Sequence, residues 1–167
     1  SGIISNQSWP MLYDIIVDSE KIYVSGPRNY AVHIFDKLDT SISEDVYIKN
    51  QIFPGDIPEP NGIAFWDGEI LTNITTNFSA QGIAKINAMK EVSWFMGEYG
   101  ACDEDTVNQP VGLVVNQETR KLYVTDYCEC RVQRFDLDGK FEISWGKRGI
   151  NQGEFLNPEG MAIDQSG

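Results

Sequence analysis

Histidine is almost missing from this chain. Among 167 residues there is one, His33. Metal hydrolases and acid–base enzymes built on imidazole need several, so zinc ligands and a histidine general base are lacking. The Ser residues have no Ser-His-Asp context, so nucleophilic catalysis has no support. Cysteine is sparse as well: Cys102, Cys128 and Cys130. Three thiols do not form a disulfide framework. Cys128-x-Cys130 lacks a second Cys pair or a His cluster, so it reads as two free thiols in a hairpin loop. No apolar run approaches the roughly 18 residues of a membrane helix, and no helical periodicity of useful length is present. The opening residues SGIISNQSWP lack the basic region and long apolar stretch of a signal peptide. Positive charge is outnumbered, with 13 Lys and Arg against 25 Asp and Glu and a formal net charge of −12. Such a surface repels phosphate backbones and anionic membranes.

What the chain does have is short β-forming runs closed by turns. The clearest set lies in Gln109 to Gly146. Val111 to Val115 is followed by Leu122-Tyr123-Val124, then by Arg131 to Phe135, then by Phe141 to Trp145. Asp138-Gly139 marks a hairpin, because Gly accepts the positive φ of primed turns. Runs of four to six residues are too short for helices, and their composition suits strands.

Weaker copies flank this set. Pro10, Pro60, Pro110 and Pro158 stand 50, 50 and 48 residues apart. Each opens an apolar run: Leu12 to Val17, Gly62 to Trp66, Gly112 to Val115 and Gly160 to Ile163. Second runs follow at Ile22 to Val24, Ile70 to Thr72 and Leu122 to Val124. Third runs follow at Val32 to Asp36, Ile83 to Asn87 and Val132 to Asp136. Fourth runs follow at Val46 to Ile48, Val92 to Met96 and Phe141 to Trp145. A four-stranded unit repeating every 40 to 50 residues points to β-propeller blades. The predicted architecture is all-β: three blades of four antiparallel strands, plus the first strand of a fourth. One domain spans 1–167, with blades near 10–49, 60–97 and 110–146 and a partial one at 158–167. A β-sandwich or small barrel is the competing fold, and period and phase count against it.

Several motifs together resemble the NHL repeat. They are Pro-x-Gly-Leu-Val-Val, Leu-Tyr-Val-Thr-Asp, Arg-Val-Gln-Arg-Phe-Asp-x-Asp-Gly-Lys-Phe and Gly-Glu-Phe-x-x-Pro-Glu-Gly-Met-Ala-Ile-Asp. The resemblance is close over 109 to 167 and looser over 10 to 36 and 60 to 97. It implies propellers of usually six blades, about twice this length. The chain would then be a fragment, an open arc, or a half-propeller that self-associates to complete the ring.

Individual residues are weighed against ordinary structural roles. Asp126 and Arg131 bracket a four-residue turn, and repeat one has Gly26 and Ala31 there, so both partners are absent together. A structural salt bridge is the expectation. His33 reads as a strand-face residue. Cys102-Asp103-Glu104-Asp105 offers carboxylates that calcium favours, yet a solvated loop accounts for them, and no cofactor is assigned. Asp136-Leu-Asp138-Gly139 reads as a hairpin turn. Sequons at Asn6, Asn73 and Asn77 mark possible glycosylation and tilt the reading toward a secretory, extracellular route. The loops before the inner strands carry Trp9, Asn61, Asn108, Gln109, Asn157 and Glu159, which are the candidate ligand-binding residues.

The functional expectation is a non-enzymatic binding or scaffold module whose end-face loops recognise a protein or peptide. No membrane partner is expected. One alternative, implied by the resemblance, is a fragment of an amidating-lyase-like or lactonase-like enzyme with its catalytic residues in other blades. A second is an RNA-binding NHL domain, which the net charge disfavours.

Overall fold

The computed structural model describes residues 13–26, 31–39, 42–47, 59–75, 81–96, 103 and 105–164. Twelve strands form three sheets of four. The first sheet holds β1 (Asp14–Val17), β2 (Lys21–Gly26), β3 (Ala31–Asp36) and β4 (Ile42–Tyr47). The second holds β5 (Glu59–Trp66), β6 (Glu69–Thr75), β7 (Gln81–Ile86) and β8 (Val92–Met96). The third holds β9 (Pro110–Asn116), β10 (Lys121–Asp126), β11 (Arg131–Asp136) and β12 (Phe141–Trp145). Within each sheet the strands pair antiparallel in chain order. These are propeller blades. No helix is present among the described residues.

Hairpin chemistry sets the register. Side-chain oxygens of Asp18, Asp36, Asn87, Asn116 and Asp136 each accept backbone N–H groups two to four residues on. These Asx turns let the chain reverse without a ladder bond of its own. Gly139 sits at φ +85°, the left-handed region that favours Gly, and completes the Asp136 hairpin. Pro60 and Pro110 lie at strand starts, where the missing N–H costs no interior ladder bond.

Two apolar layers hold the blades together. Tyr23, Val32, Ile34 and Val46 of the first blade bury against Ile63, Ile70, Ile74 and Ile86 of the second. Ala64, Leu71 and Ile83 of the second bury against Leu113, Leu122, Val124 and Phe135 of the third. Blade two is therefore covered on both faces, and Ile70 to Ile74 of β6 are buried without alternation. Blade three is covered on one face among the described residues, so β10 keeps an alternation in which Leu122 and Val124 are buried and Tyr123 is half-buried.

Two expectations need correction. The fourth strand of the first blade runs from Ile42 to Tyr47, starting earlier than the apolar run at Val46. The Ser-Glu-Asp stretch at 43–45 interrupts the apolar run, so the strand's first half carries no continuous apolar signal. Residues 158–164 form no strand ladder. A strand needs a hydrogen-bonded neighbour, and among the described residues no strand pairs with this segment.

Candidate functional site

The four inner segments surround one axis. A cavity of about 600 Å³ is walled by residues of β1, β5 and β9 and by Met161, Ala162 and Ile163. A second cavity of about 500 Å³ lies at the N-terminal ends of the same segments and shares Asp14, Leu113 and Met161 with the first. A third, of about 390 Å³, lies at the C-terminal end of β9 beside Ile163, with Glu118 and Asp164 in its wall. Each is within the size range of small-ligand sites, about 300–1,000 Å³.

A repeated hydrogen bond brings the inner segments this close. Ser25 Oγ of β2 donates to Asn61 O of the next blade. Asn73 Nδ2 of β6 donates to Pro110 O. Thr125 Oγ1 of β10 donates to Glu159 O at 2.7 Å. The three donors occupy the same place in their repeats, so each second strand latches the following inner segment. Close approach also requires glycine. A Cβ on Gly62 would lie 2.6 Å from Val111 O, and one on Gly112 would lie 2.2 Å from Glu159 O. Sequence reasoning missed this latch. Its signal was the small polar residue that closes each second run.

Among the expected ligand-binding residues, Asn61 and Glu159 line the N-terminal cavity. Asn61 Nδ2 donates to Thr75 Oγ1 at 2.9 Å, and Glu159 is exposed. Tyr13 and Asp14 join them there and had not been singled out. Asp14 Oδ2 accepts the Ile63 N–H at 2.9 Å, which ties β1 to β5. The structure does not bring Asn108, Gln109 and Asn157 into the walls of the three axial cavities. Asn108 is buried and its N–H donates to Asp126 Oδ2. Gln109 and Asn157 take left-handed backbone, at φ 57° and 54°, and Gln109 O accepts the Tyr127 N–H. Trp9 lies outside the described residues.

Asp126 and Arg131 face one another as ladder partners of β10 and β11. Arg131 Nε and its terminal nitrogen both reach Asp126 Oδ2 at 3.2 Å. The guanidinium also donates to Asp103 O and Thr106 O, at 2.8 and 2.9 Å. Gln133 Nε2 donates to Thr106 O as well. The pair thus pins the chain before β9 to blade three. Burial pushes the Asp126 carboxyl up from its ordinary value, against the pull of the Glu129 and Asn108 N–H groups and Arg131.

The remaining candidates fall away from the axis. His33 is buried in β3, with Nδ1 2.7 Å from Asp45 Oδ1 on the paired residue of β4. Asn73 cannot carry a glycan in this fold, which corrects the expectation at that sequon. It is fully buried, and its amide nitrogen is committed to Pro110. Asn6 and Asn77 lie outside the described residues. Cys128 is exposed and Cys130 buried. Burial, and then the neighbouring charges of Glu129 and Asp126, raise the Cys128 thiol. Among the described residues no three His, Cys, Asp or Glu side chains converge as metal ligands. No described helix is long and apolar enough to cross a membrane.

Comparison with known proteins agrees with this geometry. No curated protein matches the sequence significantly. Similar solved structures include the WD40 repeats of RRP9, with a TM-score of 0.59 and 11% identity, covering 80% of this chain and 38% of that one. Hydrazine synthase from Kuenenia stuttgartiensis has a TM-score of 0.66 and 13% identity, covering 99% and 42%. A protein of unknown function from Bacteroides caccae has a TM-score of 0.59 and 13% identity, covering 93% and 50%. The chain therefore spans half or less of the length of these neighbours, and at such identities the likeness concerns the fold alone. Residues 107–135, which begin just before β9 and end in β11, match the NHL repeat family. The chain has the β-propeller fold, and its third blade matches the NHL repeat family.

Proposed function

We propose that this propeller serves as a binding module that recognises a protein or peptide at the N-terminal end of its axis. The observation that carries the reading is the pair of adjoining cavities walled by all four inner segments. Asn61, Asp14, Tyr13 and Glu159 supply polar groups at the mouth, and the interior beyond is apolar. A concave apolar site with a few placed polar groups is the usual form of a recognition site. Three of the four inner segments are latched to the blade before them and β1 is tied to β5 through Asp14, which lowers the ordering cost of binding.

The test is selection from an unbiased displayed-peptide library, followed by affinity measurement on purified protein. Gly160→Trp is the blocking variant. Gly160 lines the mouth, and a Cβ there meets nothing within 4 Å, so the ring fills the opening without disturbing the blades. Selected peptides should lose binding to Gly160→Trp. Peptides that bind wild type and variant equally would place recognition elsewhere and overturn the reading.

A further inference from the structure

The charged side chains that line the three cavities are all acidic. Asp14 and Glu159 stand at the N-terminal cavity. Glu118 and Asp164 stand at the C-terminal one. Asp18 closes the same end of the central cavity; its carboxylate is engaged by the Glu20 and Lys21 N–H groups and the Tyr23 hydroxyl, and outside the cavity wall the Lys21 charge acts on it and Lys37 Nζ donates to Asp18 O at 3.2 Å. Among the described residues, no Lys, Arg or His lines any of the three cavities. Between the two carboxylate ends the wall is apolar, with Ile15, Val17, Phe65, Val114 and Ile163. Ile15 and Val17 are 60% and 54% exposed. Low-dielectric walls around charges of one sign focus the field and concentrate counter-charge. A metal ion is a poorer occupant, because among the described residues no three ligating side chains converge. Nucleic acid carries the wrong charge.

We infer that the occupant is an extended segment of a partner protein with a Lys or Arg at each end of a short apolar stretch. This rests on the module reading above and names the chemistry of its partner. β1 and the Asp18 that follows it run between the two ends, about 13 Å from Asp14 to Asp18 at roughly 3.3 Å per residue. The two cations therefore stand about four residues apart. Their charged heads meet the carboxylates at the ends, and the apolar residues lie along the middle. Lys and Arg suit this path because their methylene stems cover apolar surface while the head stays in the solvated mouth.

The same library decides the question. Selected peptides should be enriched in Lys or Arg flanking an apolar core at that spacing. Their affinity should fall as salt rises past the range where exposed charges are screened. Asp14→Asn and Glu159→Gln should each weaken binding about two- to fivefold at low salt, the range for exposed ion pairs. Asn keeps an oxygen for the Ile63 N–H but turns its amide nitrogen toward the Ile15 N–H, which the other carboxylate oxygen accepts, so the Asp14 variant counts only with an unchanged melting temperature, and Glu159→Gln, at an exposed side chain, carries the test otherwise. Asp138→Asn, on the exposed Asp136 hairpin, should leave affinity unchanged. Acidic or uncharged peptides that bind wild type and are blocked by Gly160→Trp would overturn the cationic occupant and leave the module standing. A library that yields no binder at all would overturn both.

Discussion

Gly62, Gly112 and Gly160 hold the same place in successive repeats, yet replacement by Ala should not affect them equally. At Gly62 the new Cβ would stand 2.6 Å from Val111 O and 2.9 Å from Asn73 Oδ1. At Gly112 it would stand 2.2 Å from Glu159 O and 3.0 Å from Thr125 Oγ1. Real Cβ contacts essentially never fall below 3.0 Å, so the inner segment facing Gly112 must retreat by about 0.8 Å. That movement lengthens the Thr125–Glu159 bond, now 2.7 Å. Overpacking costs about 1–3 kcal/mol, and a lost hydrogen bond costs about 1 kcal/mol more. Ala regains about 0.4–1 kcal/mol through lower entropy of the unfolded chain. The net expectation is about 1–3 kcal/mol of destabilisation for Gly62→Ala and Gly112→Ala. At Gly160 nothing lies within 4 Å, so Gly160→Ala should be neutral or slightly stabilising. Urea unfolding followed by tryptophan fluorescence measures all three, with the slope checked for constancy. The reasoning fails if Gly62→Ala stays within about 0.5 kcal/mol of wild type, the usual range for innocuous surface changes, or if Gly160→Ala is destabilised as much as the others.

Three further outcomes are expected. Arg131→Met leaves the Asp126 carboxylate buried without its cation, removes the guanidinium donor to Asp103 O and leaves Thr106 O with Gln133 Nε2, so unfolding free energy should drop by about 3–5 kcal/mol; a drop under about 1 kcal/mol would contradict the pinning role. Acid should destabilise the protein through Asp18, Glu142 and Glu154. At Asp18 hydrogen bonds to the carboxylate outweigh burial, at Glu142 the Lys121 contact leads, and at Glu154 the Asn151 N–H leads, so all three sit below their ordinary values. Their contribution is present above those ordinary values and is lost as pH falls through the folded ones. Asp126 acts with the opposite sign, because its raised carboxyl favours the fold below the ordinary value and loses that contribution as pH rises through the folded one. Replacing it by Asn should therefore steepen the acid limb in urea titrations from about pH 3 to 7, and a flatter limb would reverse the assignment. Cys128 should alkylate slowly at neutral pH and faster as the solution approaches its raised thiol value, while Cys130 should react only on unfolding; mass spectrometry of labelled peptides separates the two.

Some of this was legible in the residues alone. The strand positions of the third blade follow from apolar runs interrupted by turn residues, and both are local properties of the chain. The spacing of four prolines sets the period, and the period sets the architecture. Asp126 and Arg131 could be paired on paper because their turn places them opposite each other within one hairpin. The outer strand of the first blade was harder, since Ser43, Glu44 and Asp45 interrupt its apolar run between Ile42 and Tyr47.

Tertiary structure decided whatever joins one blade to the next. Ser25 meets Asn61, Asn73 meets Pro110 and Thr125 meets Glu159 across 34 to 37 residues of chain, a distance over which no local pattern specifies a partner. The same packing took Asn73 out of solvent, kept Asn108 and Gln109 off the axis, and brought Asp14 and Glu159 to one mouth. Strand identity is written in neighbours a few residues apart, but an axial cavity exists only where four distant segments are held at contact distance.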